Sequence, residues 1–198
     1  MRIPDKRLRK QGLLIVLSGP SGVGKDALLT TFLGTCSGVT KCVTVTTRAP
    51  RDGETPGQDY HFVSLQEFHR MVENGEFLEY AKVHDNLYGT PRKWVEDTVA
   101  AGTDVILKID VQGGLAVKKL APNAIMVFVA PPSVEELEHR LRNRLTESEA
   151  EITKRLLDAR KELERIPDYD YVIENDTLDE AAAALRRIVL AERSKVER

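Results

Sequence analysis

At 198 residues, 41% of them hydrophobic, the chain is long enough to bury a substantial core as one domain or as a core with small inserted lobes. Its 29 Lys and Arg against 31 Asp and Glu leave a net charge of −2, which argues against a general nucleic-acid or membrane-surface binder, so any anion site must be local. Cys36 and Cys42 are too few for a disulfide framework or zinc cluster, and the apolar runs are too short to span a bilayer, so the expectation is a soluble cytoplasmic protein.

The opening MRIPDKRLRK is basic, lacks the apolar stretch of a secretion signal and reads as a frayed tail. Residues 13–17 predict a buried strand that breaks into Gly19-Pro20-Ser21-Gly22-Val23-Gly24-Lys25. Glycines there let backbone N–H groups turn onto a polyphosphate, the following helix offers its positive end, and Lys25 adds a mobile cation. A nucleoside triphosphate is the expected ligand. Such loops end in Ser or Thr, whose hydroxyl ligates the phosphate-bound magnesium ion, but here Asp26 and Ala27 follow the lysine. A carboxylate beside a triphosphate is repelled, so Asp26 requires a cationic partner or a metal.

Residues 105–109, 125–129 and 171–173 predict further parallel strands, with 42–45 as a fifth, alternating with helices. Helix starts are marked by Ser or Thr followed three residues later by Glu, at Ser64, Ser133, Ser148 and Thr177. The expected fold is α/β, a three-layer phosphate-loop core around a five-stranded parallel sheet. Residues 46–91, rich in turn formers and charge with one short helix and irregular chain, predict an inserted lobe. Residues 133–165, charged and helical, predict a mobile lid. The core takes residues 1–45, 92–132 and 166–198. His61, His69, His84 and His139 have no metal-ligand spacing.

In an open parallel sheet the ligand lies beyond the carboxyl ends of the strands, where the loop, the segment after Thr46, Asp110 and Asn175 converge. Lys108 falls there too and is the expected partner of Asp26. Arg48 and Arg51 offer a second phosphate site, and two phosphate sites imply transfer between them; the alternative is a pair of solvated arginines offset by Asp52 and Glu54. Arg140, Arg144 and Arg155 suit an anion or, alternatively, a surface helix laced with ion pairs. Thr44, Tyr60, Glu79, Tyr88, Thr90 and Asp110 supply carboxylates, hydroxyls and rings able to identify a base.

The segments SGPSGVGK, TTRAPRDGE, GQDYHFVS, GEFLEYAKVH, NLYGTP, IDVQGG, VAPPSVEELEHRLRNR, EITKRLLDAR and YDYVIEND occur here in the order found in guanylate kinases, which the chain resembles over nearly its full length. The resemblance implies transfer of the γ-phosphoryl group of ATP to GMP or dGMP with magnesium, and neither a nucleic-acid nor a membrane partner. It implies that Gly19 to Ala27 hold the donor phosphates, with Asn175 near adenine. Arg48, Arg51 and Tyr60 would hold the GMP phosphate, and Thr44, Glu79, Tyr88, Thr90 and Asp110 would surround guanine. Lys25, Arg48, Arg140, Arg144 and Arg155 would be catalytic. Four positions depart from the family pattern: Asp26 and Lys108, which leave the magnesium ligands open apart from Asp26 itself, Leu145, where glycine is usual, and Thr44, which keeps the hydroxyl of the usual serine. Two alternatives are a ribose 1,5-bisphosphate kinase and a non-catalytic guanylate-kinase-like interaction module.

Overall fold

The computed structural model describes residues 11–83, 85–143 and 149–195. Nine strands and seven helices succeed one another along these segments: β1 (Leu14–Ser18), α1 (Lys25–Leu33), β2 (Val39–Lys41), β3 (Thr44–Thr46), β4 (Tyr60–Phe62), α2 (Leu65–Glu73), β5 (Phe77–Val83), β6 (Asn86–Pro91), α3 (Arg92–Ala100), β7 (Asp104–Lys108), α4 (Val111–Leu120), β8 (Ile125–Ala130), α5 (Val134–Arg142), α6 (Glu149–Leu163), β9 (Tyr171–Glu174) and α7 (Leu178–Arg193).

The core sheet is parallel throughout, with strand order β2-β7-β1-β8-β9. Its central strands are apolar on both faces because helices cover both. Ile15, Leu17, Ile106 and Val127 face a cluster with Leu28 and Phe32 of α1, Leu137 and Leu141 of α5, and Leu185 and Val189 of α7. Val16, Val105, Leu107 and Met126 face the opposite cluster, with Val95 of α3 and Val117 of α4. These two clusters make the predicted three layers.

The fifth strand of this sheet is β2, not the predicted segment 42–45. Cys42 is still tied to the sheet, its N–H donating to the Ile106 carbonyl at 2.9 Å, and the chain then leaves to begin β3 in a second sheet of order β4-β3-β6-β5. That sheet and α2 replace much of the irregular chain expected over residues 46–91. Phe68 and Phe77, with ring centroids 4.6 Å apart, close a small separate core there with Val45.

Three of the predicted caps form as read. Ser64, Ser133 and Thr177 accept hydrogen bonds from the N–H groups of Glu67, Glu136 and Glu180. Ser148, like Arg144, Leu145 and the basic opening segment, lies outside the described residues. The charged segment 133–165 is less detached than its composition implies, since Leu137 and Leu141 are buried in the main core.

Candidate active site

The carboxyl ends of β1 and β7 and the inner face of the second sheet enclose a cleft of about 960 Å³. At its core end stands the loop after β1. Gly24 caps α1 with φ 96°, a left-handed conformation that favours glycine, and a Cβ there would lie 2.6 Å from Asn175 Nδ2. Lys25 Nζ folds back on the loop and donates to the Gly19 and Pro20 carbonyls at 2.6 and 2.9 Å. Burial pushes its pKa down, while Glu162 and Asp26 nearby oppose the shift.

Behind the loop, Asn175 Nδ2 donates to the Val23 carbonyl at 2.7 Å, and Arg140 Nη1 donates to the Asn175 carbonyl at 2.9 Å. Arg140 is also paired with Glu136 at 2.7 Å. Asn175 is 3% exposed and does not line the cleft; its side-chain amide lies behind the loop. Pro20 and Val23 are likewise buried, contributing backbone to the loop.

Lys108, the last residue of β7, pairs with Asp26, as their opposite charges at the strand ends predict. The pair is lopsided: the Lys108 side chain is 14% exposed and that of Asp26 82%. Lys108 Nζ also lies 5.4 Å from the Tyr60 ring centroid. The Arg48 guanidinium lies 5.4 Å from the same ring and is held by Glu54 at 2.7 Å. Arg51 shares that carboxylate through its backbone N–H, at 2.8 Å. The two arginines thus face the cleft with Glu54 as their acidic neighbour.

Deeper in the second sheet, Glu79 accepts a 2.5 Å hydrogen bond from Thr90 Oγ1. Glu79 is 7% exposed, and burial pushes its carboxyl pKa up to about 7. Across from it, Asp110 caps α4: its Oδ1 accepts from the Gly113 N–H at 2.7 Å, while its Oδ2 is buried and has no partner among the described residues. A buried acceptor left open in this way fits a ligand that brings N–H donors. Thr44 and Tyr88 line the same pocket.

The sequence model of the guanylate kinase family matches residues 11–192. The chain belongs to the guanylate kinase family. It is 46% identical to the guanylate kinase of Caldanaerobacter subterraneus over 96% of this chain and 93% of that protein. Against the guanylate kinase of Paramagnetospirillum magneticum it is 47% identical over 96% of this chain and 89% of that one. Among solved structures, guanylate kinase from Anaplasma phagocytophilum superposes with a TM-score of 0.78 at 39% identity, covering 95% of this chain and 89% of that one.

For this guanylate kinase family member the cleft gathers Gly19, Ser21, Gly22, Gly24, Lys25, Asp26 and Ala27 with Thr44, Arg48, Arg51, Tyr60, Glu79, Tyr88, Asp110 and Arg155. Thr90 joins them through Glu79, and Arg140 through the loop backbone. The sequence reading missed Glu162 near the end of α6. It lines the cleft with Lys25; burial pushes its carboxyl pKa up, and the Lys25 charge opposes that shift. Nothing but its place in a charged helix signalled it. Among the described residues no group of three or more His, Cys, Asp or Glu side chains is arranged to hold a metal ion, and no helix is long and apolar enough to cross a membrane.

Proposed function

We propose that this protein is a cytoplasmic kinase that transfers the γ-phosphoryl group of ATP to GMP or dGMP, giving ADP and GDP or dGDP. The observation that carries the reading is the buried Glu79 and Asp110 pair in the same cleft as the phosphate loop. Guanine presents two N–H donors where adenine presents one exocyclic amine in another place, so carboxylates left unpaired by the wrong base penalise AMP strongly. A ribose phosphate lacks the paired N–H donors of a base for these acids, and an interaction module has no use for Lys25 in the loop.

In this reading the loop amides and Lys25 hold the donor's phosphates, while Arg48, Arg51 and Tyr60 hold the acceptor's. Arg140 steadies the loop, and Arg155 and Arg144 meet charge on the transferring group as water is excluded. The acceptor phosphate is itself the nucleophile, so the chain needs no covalent intermediate, only alignment and charge compensation. Magnesium fits as an ion carried in on the donor's phosphates: the open carboxylate face of Asp26, exposed at the first turn of α1, is a suitable hard oxygen ligand. Bound there, it would neutralise charge on the β and γ phosphates.

The test is ADP formation from ATP and magnesium with GMP, dGMP, AMP, UMP, CMP and ribose 1,5-bisphosphate as separate acceptors. Turnover confined to GMP and dGMP is expected. Preference for any other acceptor, or failure to bind ATP, overturns the reading.

A further inference from the structure

Lys108 sits between the two phosphate regions of the cleft, and its surroundings are unequal. On one side it is paired with the exposed Asp26; on the other its Nζ lies 5.4 Å from the Tyr60 ring centroid. Tyr60 in turn packs against the Arg48 guanidinium. Two cations therefore flank one phenol, each paired among the described residues with one carboxylate, Asp26 for Lys108 and Glu54 for Arg48.

Asp26 directly follows the loop lysine, so donor phosphates seated on the loop repel its carboxylate from the Lys25 side, and accompanying magnesium attracts it. Because Asp26 is already largely in solvent, its release costs little desolvation. The Lys108 side chain is only 14% exposed, so following Asp26 outward would uncover its apolar stem. A mostly buried cation deprived of its counter-ion is unfavourable until another anion replaces it.

We propose that Lys108 is a shared cation that passes from Asp26 to the acceptor's phosphate beside Tyr60 when the donor binds, so that loading one nucleotide tightens the site for the other. This rests on the GMP-kinase reading above. By linkage the effect is reciprocal: the factor by which the donor tightens GMP is the factor by which GMP tightens the donor.

The experiment is calorimetric titration of GMP into the full chain, with and without a non-hydrolysable ATP analogue and magnesium. Wild type is expected to bind GMP roughly 5- to 20-fold more tightly with the analogue present. Asp26→Asn, an exposed and isosteric change, should show that tighter GMP binding already in the absence of analogue and gain little more from it. Lys108→Met should weaken GMP binding and lose the coupling, and Lys108→Arg should restore part of it. If Lys108→Met does not fold, as judged by thermal melting, Asp26→Asn carries the test alone. Unchanged GMP affinity in Asp26→Asn without analogue overturns the proposal, as does full coupling in folded Lys108→Met. If GMP binds wild type with no coupling to the analogue, the hand-off fails while the acceptor assignment stands. If GMP does not bind wild type at all, the acceptor assignment itself fails.

Discussion

Thr90 Oγ1 lies 2.5 Å from Glu79 Oε1, a hydroxyl donating to a carboxylate that has been removed from water on the inner face of the second sheet. One hydrogen bond does not offset that burial, and the acid's pKa is pushed up to about 7. The group is therefore held in readiness for a partner at some cost to the empty protein.

Glu79→Gln tests this cost and the recognition role together. The folded-state pKa is raised above the ordinary 4.5, so between these values the folded protein keeps a proton that the unfolded chain has lost. Stability contributed by this site thus falls as pH rises from about 4.5 to about 7 and stays low above it. The glutamine variant should melt a few degrees higher than wild type at pH 8, a gain on the order of 1–3 kcal/mol, and show little difference at pH 4.5. Its kcat/KM for GMP should fall by about a hundredfold or more, because the amide puts an NH2 donor where the carboxylate offers its second acceptor oxygen. Scanning calorimetry at the two pH values and steady-state kinetics check both halves.

The same titration predicts that wild-type GMP affinity strengthens between pH 6 and pH 8, as Glu79 loses its proton in the free protein. ATP affinity measured in parallel serves as the comparison. A GMP dissociation constant that is flat across this range would show that Glu79 is already charged or not engaged.

Gly113 stands in the first turn of α4, and a Cβ there would lie 2.7 Å from Glu79 Oε2 and 3.3 Å from Asp110 Oδ1. Gly113→Ala should therefore raise KM for GMP by about tenfold or more while leaving KM for ATP within about twofold. Alanine favours the helix by roughly 1 kcal/mol over glycine, which limits any loss in melting temperature. A KM for GMP unchanged from wild type would mean that Glu79 relaxes freely.

Asp104 provides a stability control remote from the cleft. Its Oδ1 accepts from the Leu13 N–H at 2.7 Å, and its Oδ2 accepts from Arg193 Nε at 2.7 Å, tying β7 to the entry of β1 and to the end of α7. Asp104→Ala leaves the buried Leu13 amide and Arg193 Nε without their acceptor, while Arg193 Nη2 keeps the Ser37 carbonyl. Urea denaturation should show a loss of roughly 2–4 kcal/mol with unchanged KM values in the folded enzyme.

Much of the core was legible because its strands bury both faces, so Ile15, Val16 and Leu17, all at 0% exposure, read as an unbroken apolar run. Ser64, Ser133 and Thr177 announced their helices through local cap chemistry, which tertiary packing does not override. The second sheet was not legible. β3 and β4 have three residues each, too few to establish a two-residue period, and their partners come from β6 and from each other rather than from a simple hairpin. The edge strand β2, with the half-buried sequence Val39-Thr40-Lys41, lacked the apolar signature that drew attention to residues 42–45 instead. The charges of the cleft were recognisable by type, and Asp26 with Lys108 even as a pair, because the strand ends of a parallel sheet converge. Glu162 was hidden since one acid on a charge-rich helix looks like its neighbours, and Asn175 gave no hint that it turns inward behind the loop.

Asp110 belongs to the parallel-sheet body, whereas Glu79 and Thr90 belong to the smaller sheet with its own aromatic core. A purine gripped by both acids would be clasped across a joint, so choosing the right base and shutting the jaw become a single event. The span between these two side chains is then a ruler for closure, which dye labels on the outer surfaces of the two bodies could follow in real time.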